Sequence, residues 1–240
     1  MEKIITKNLV IKTVGTKLAK EFSADGFKYV KSKQELIRKY KGGFDRIDFT
    51  TYDMYPISHQ ELSVSLVKRL DVVENIVNKF YDGRFINPKF HKDTVTVYPD
   101  FDLNKEIYGI KFKSENNLNC EICSKSENIK TEAFILHTEE DIENIINSLI
   151  PFIREKVLCF FKANNDLQYV NKKEKERILE NDNKIPIIPL MHSLVLMKLT
   201  NDLDFNKLKK EYLTKLGPLH GFEEESKDAL NELINYLDSI

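Results

Sequence analysis

Apolar and polar residues alternate strictly through Glu61-Leu62-Ser63-Val64-Ser65-Leu66. In an extended chain this puts Leu62, Val64 and Leu66 on one face and Glu61, Ser63 and Ser65 on the other. The pattern predicts an antiparallel strand with one buried and one wet face. Around it, residues 27–70 read as four strand-like runs: Phe27–Lys33, Glu35–Lys41, Phe44–Tyr55 and His59–Lys68. The breaks fall at Gly42-Gly43 and at Pro56, which has no N–H to give to a ladder.

A helix signal stands on either side. Ile4, Ile11, Val14, Leu18 and Phe22 recur at helical steps over residues 3–24, and Asp25-Gly26 then stops the helix. Asp71 suits an N-cap for a second helix, with Val72, Val73, Ile76, Val77 and Phe80 as its apolar stripe and Asp82-Gly83 as its end. Helix, meander and helix together predict an α+β layer.

Beyond residue 83 the pattern thins. Thr94–Tyr98, Glu106–Lys113 and Ala133–His137 read as short strands, and the polar run Asn116–Asn128 as a loop. From Thr138 onward the chain reads as mostly helical. Thr138 with Asp141 gives an acidic variant of the capping box. Ile142, Ile145, Ile146, Leu149, Ile153, Val157 and Phe160 follow as one stripe, which Pro151 is expected to kink or split. Leu167–Asn183 reads as a charged helix, Ile185–Pro189 as a rigid connection, and helices are expected from about Leu190, Phe205 and Phe222. The organisation expected is an α+β sheet domain over residues 1–137 and a helical region over 138–240, packed on the first as a single unit or standing apart.

Composition narrows the class. The 240 residues carry 37 Lys plus Arg against 38 Asp plus Glu, which argues against a protein that coats DNA. A hydrophobic fraction of 41% is ample for a core. The N-terminal Met-Glu-Lys-Ile-Ile-Thr-Lys has no apolar run of signal-peptide length, and the stretch Ile185–Leu199 is too short and broken to span a bilayer. Three cysteines are too few for a disulfide scaffold. A cytoplasmic protein with no membrane contact is expected.

Candidate chemistry is sparse. Cys120-Glu121-Ile122-Cys123 is the one C-x-x-C, with His137 the nearest histidine after it. A structural zinc site needs four ligands, and the third cysteine, Cys159, sits in an apolar run that reads as core. No histidine pair at i, i+4, no G-x-S-x-G, no G-x-G-x-x-G and no phosphate-cradling P-loop is present, so no cofactor is expected. The acidic groups Glu139–Asp141 and Glu223–Glu225 are explained by helix starts, where negative charge complements the helix dipole. Asp53, His59 and Glu61, near one end of the sheet, are the best-placed candidates for an unrecognised enzyme or small-ligand site.

The densest charge lies on the first two strand runs. Lys28, Lys31, Lys33, Arg38, Lys39 and Lys41 are opposed only by Glu35, with Tyr29 and Tyr40 interleaved. Cations with stacking rings suit an acidic protein or single-stranded nucleic acid. The plainer reading is a solvated face whose lysines keep an edge strand from aggregating. Arg84, Lys89, His91 and Lys92 would extend the patch if the fold brought them close.

The order Asp25-Gly26-Phe27-Lys28, Gly42-Gly43-Phe44-Asp45-Arg46-Ile47 and Leu66-Val67-Lys68-Arg69-Leu70-Asp71-Val72-Val73-Glu74 resembles a group of small uncharacterised bacterial α+β domains of unknown function. The resemblance covers residues 20–80, about the first third of the chain. It implies an α+β fold and brings no catalytic residues. It also implies a role of the immunity-protein or partner-binding kind. A non-enzymatic protein-binding module, using the exposed sheet face, is therefore the leading expectation. The rival is an enzyme, or a small-ligand or nucleic-acid binder, with its site near the sheet end.

Overall fold

The computed structural model describes residues 5–54, 59–81, 88–99, 134–181, 184–217 and 223–240. The expected strand Glu106–Lys113, the loop Asn116–Asn128 and the Asp82-Gly83 break lie outside them. The fold is α+β. It divides into two compact units, one drawn from residues 1–68 and 98–161, the other from residues 69–97 and 162–240.

The first unit opens with α1 (Lys7–Glu21), capped by Thr6, whose side chain accepts from the Leu9 N–H at 3.3 Å. Val10, Ile11, Val14 and Leu18 are buried along one stripe. Gly26, with φ +85°, takes the left-handed conformation that follows the helix. Then come β1 (Lys28–Val30), β2 (Glu35–Tyr40), β3 (Gly43–Met54), β4 (His59–Leu70) and β5 (Phe134–Leu136). They form one sheet in that order, so the expected four-strand meander is joined by part of the Ala133–His137 run. β2 pairs β3 antiparallel with Leu36 opposite Ile47 and Arg38 opposite Asp45, and β4 pairs β5 with Leu62 opposite Phe134.

One sheet face carries Leu36, Ile47, Phe49, Leu62, Val64 and Leu66, all buried. α1 lies against β2 and β3, and α3 (Glu139–Phe152) lies against α1 and β5. The other face is drier than strict alternation predicts. Ile37, Phe44, Glu61 and Val67 are buried and Ser63 is half-buried, whereas Lys39 and Ser65 are exposed. Alternation fixes which side chains share a face; it does not say how far that face is covered.

α3 begins at the expected capping box: the Asp141 N–H donates to Thr138 Oγ1 at 3.2 Å, and the Thr138 N–H donates to Asp141 Oδ2 at 2.8 Å. Pro151 does not split the helix. A π-helical turn, Ile153–Val157, follows at once and leads into α4 (Leu158–Ala163). The wider turn shifts the helical phase. Val157, Phe160 and Phe161 stay buried, while Cys159 is exposed rather than part of the core.

The second unit holds α2 (Asp71–Tyr81), a 3-10 turn (Pro88–Asp93), α5 (Leu167–Leu179), α6 (Ile187–Leu199), α7 (Phe205–Lys215) and α8 (Glu223–Ser239). Thr94–Tyr98 is not a strand of the sheet. α6 starts at Ile187, not Leu190, because Pro189 falls in its first turn, where a missing N–H costs no helical bond. α6 is buried from Leu190 to Met197, and α2, α5, α7 and α8 all pack on it. At the far end the Lys215 ammonium donates to the carbonyls of Ile178 (3.1 Å), Leu179 (3.3 Å) and Asn181 (3.1 Å), closing α5. The Lys215 carbonyl in turn accepts from the Ile185 N–H at 2.8 Å. No helix among the described residues is long and apolar enough to cross a membrane.

Candidate functional site

The cationic run splits into two sets with different surroundings. Lys28, Lys31, Lys33, Lys39 and Lys41 are exposed. Lys28 lies opposite Ile37 and Lys39 opposite Phe44, so both belong to the sheet face that also carries Arg46. Lys31 and Lys33 sit in the β1–β2 turn, and Lys41 precedes Gly42 (φ +105°) in the β2–β3 turn. On the same face Arg46 pairs with Asp48 at 2.9 Å and approaches Glu35 at 3.8 Å. Burial raises the Asp48 pKa, while Arg46 and then Lys33 pull against the rise.

Tyr29, Arg38 and Tyr40 turn to the core face instead. Tyr29 packs its ring against α1 at Gly15: a Cβ at Gly15 would fall 2.3 Å from Tyr29 Cε2. Burial raises the Tyr29 pKa. Arg38 donates from Nε (3.0 Å) and Nη2 (2.6 Å) to Asp45 Oδ2, and its guanidinium lies 4.8 Å above the Phe27 ring. Tyr40 OH donates to Asp45 Oδ1 at 3.2 Å. Lys68, on β4, donates to Asp45 Oδ1 at 2.7 Å and to Tyr40 OH at 2.6 Å. The Lys68 and Asp45 side chains are 0% and 1% exposed. Burial depresses the Lys68 pKa and Asp45 opposes the shift. Asp45 therefore receives four hydrogen bonds, two on each oxygen, the condition under which a buried carboxylate is tolerated. This cluster pins β2, β3 and β4 together beneath the exposed lysines.

The remaining candidates do not assemble into a described site. Asp53 and His59 belong to β3 and β4, and their side chains lie outside the description. Glu61 is buried, opposite Ile135. Cys120 and Cys123 lie outside the described residues. His137 is exposed, and its backbone N–H donates to Asp141 Oδ2 at 2.9 Å. Among the described residues, no group of three His, Cys, Asp or Glu side chains is placed to hold a metal ion.

The second unit contains a buried polar network that the sequence reading missed. His192 Nε2, on α6, lies 2.9 Å from Glu74 Oε1, on α2. Their side chains are 6% and 1% exposed. The approach is bent away from a linear hydrogen bond, so the contact is chiefly one of charge. Thr96 donates to the same Glu74 oxygen at 2.7 Å and accepts from the Leu70 N–H at 3.0 Å. Burial would raise the Glu74 pKa, but the charge of His192 beside it and the hydrogen bond from Thr96 outweigh it and bring it down to about 2. Beside it, buried Arg69 donates to the His91 carbonyl (2.7 Å), the Thr94 carbonyl (2.9 Å) and Thr94 Oγ1 (2.7 Å), and also meets Asp71. Asn78 adds a bond to the His91 carbonyl at 3.2 Å. Thr94–Thr96 is thus tied to α2 and its start by side-chain hydrogen bonds.

One signal in the sequence did mark this network. Glu74 and Asn78 sit four residues apart beside Val73 and Val77, a polar pair on the buried stripe of an amphipathic helix. As arranged, Glu74 and His192 tie α2 to α6; enclosed to this degree, they hold helices rather than present a reactive group. The chain matches no protein-family model, no curated protein and no solved structure.

Proposed function

We propose that this protein is a non-enzymatic binding module of the immunity or inhibitor kind, and that its first unit holds an acidic protein partner through the lysines of the β1–β2–β3 hairpins. The observation that carries the reading is the separation of charge from rings: Lys28, Lys31, Lys33, Lys39 and Lys41 face solvent, while Tyr29 packs on Gly15 and Tyr40 joins the Asp45 cluster. Flexible ammonium groups without stacking rings suit carboxylates at a protein surface better than unpaired bases. The Asp45 cluster supports the reading because it holds the strands that carry the lysines in fixed register, so little ordering is left for binding.

The test is affinity capture from the native cells, with the wild-type chain beside a Lys28→Glu, Lys31→Glu, Lys39→Glu variant. A near-stoichiometric acidic partner should be held by the wild type and lost by the variant, with both melting at the same temperature. A partner retained equally by the two chains would sink the hairpin reading.

A further inference from the structure

We propose that the turn Pro88–Asp93 of the second unit is a contact site for single-stranded nucleic acid, with Phe90 as the stacking ring and Lys89 and Lys92 as the phosphate contacts. It belongs to the second unit and stands independently of the function proposed for the lysine hairpins of the first.

Three observations converge on this turn. Phe90 is 51% exposed, and Lys89 and Lys92 beside it are exposed as well. Lys89 Nζ lies 4.8 Å from the centre of the Phe90 ring, so cation and ring already form one assembly. The backbone underneath is clamped: the His91 carbonyl accepts from Arg69 Nη1 at 2.7 Å, Thr94 Oγ1 at 2.9 Å and Asn78 Nδ2 at 3.2 Å. Arg69 and Asn78 are 5% and 7% exposed, so two buried side chains are committed to fixing a six-residue surface turn. A ring held this way meets a ligand without first having to be ordered.

The chemistry of the turn selects its partner. A flat apolar ring with a cation against it and a second cation in the same turn matches one unpaired base and the phosphates next to it, and it tolerates any base because every base has a π-face. A protein partner would ask for a desolvated cluster of anchors. The turn, Pro-Lys-Phe-His-Lys-Asp, offers Phe90 alone as a large apolar side chain. This is also where the structure keeps ring and cations together on the surface, as it does not on the β1–β2 hairpin.

The experiment is fluorescence anisotropy of end-labelled twelve-nucleotide oligo-dT with the full chain, over a series of salt concentrations. Phe90→Ala should weaken binding by about 5- to 140-fold, the loss of one stacked base. Its salt dependence should be unchanged, and Phe90→Trp should bind at least as tightly as the wild type. Lys89→Gln with Lys92→Gln should flatten the log–log salt slope by about 1.4, two single-strand phosphate contacts. All three variants change exposed side chains and should melt with the wild type. No binding at low salt, equal binding by Phe90→Ala, or a twelve-base-pair duplex bound as well as the single strand would overturn the proposal. Displacement of the oligonucleotide by equal amounts of poly-L-glutamate would do the same, by showing that the turn reads acidity alone.

Discussion

Lys68 Nζ lies 2.7 Å from Asp45 Oδ1, with both side chains sealed from water on the core face of the sheet. Either ion alone would be a costly guest there. Asp45→Asn leaves the Lys68 ammonium with Tyr40 and no counter-charge, and is expected to destabilise the first unit by about 3–5 kcal/mol. Lys68→Met should cost a similar amount. The double variant should cost clearly less than the sum, because neither charge is then stranded. Urea denaturation of the four chains measures the coupling; additive losses would show that the two groups act separately.

Glu74 gives the second unit an acid-sensitive tie. Its folded pKa of about 2 lies below the ordinary 4.5, so its contribution is complete above pH 4.5 and is lost as the pH falls through about 2. The shift corresponds to a contribution on the order of 3 kcal/mol. Glu74→Gln removes the dependence: thermal melts from pH 7 to pH 2 should show the variant losing less stability than the wild type across that window. Parallel curves for the two chains would refute the assignment.

Gly15 makes room for Tyr29. At a mid-helix position alanine ordinarily gains about 1 kcal/mol over glycine. Here the new methyl would lie 2.3 Å from a ring carbon, so Gly15→Ala is expected to destabilise by about 1–3 kcal/mol instead. Adding Tyr29→Ala should restore the usual preference and make alanine the better residue. Circular-dichroism melts of the single and double variants decide it; a stabilised Gly15→Ala single variant would contradict the packing.

The elements read most clearly are those whose pattern and punctuation agree. The β2–β3 hairpin follows from two runs broken at Gly42-Gly43, and the start of α3 from Thr138 and Asp141. Local pattern misled where a long-range contact decides. Val72 fits the apolar stripe of α2 yet is 45% exposed, while Glu74 on the same helix is 1% exposed because Thr96 and His192 reach it from 22 and 118 residues away along the chain. The cationic run was legible as charge, but not its division into surface lysines and an inward Arg38. That division depends on strand parity, which pairs Arg38 with Asp45 and leaves Lys39 opposite Phe44. Cys159 was misplaced because an unbroken apolar run hides helical phase: two residues after Val157 and one before Phe160, it falls off the face that those two bury.

Lys215 closes α5 from a position 37 residues beyond Ile178, and its own carbonyl holds Ile185. The last turns of α5 and α7 are therefore one cooperative piece. Neither is completed until the chain between them has been brought round, so the closing contact arrives late in folding, after the entropy of that loop has been surrendered. In the finished protein the two ends are expected to fray together, so that exchange of their amide protons reports a single opening event rather than two independent ones.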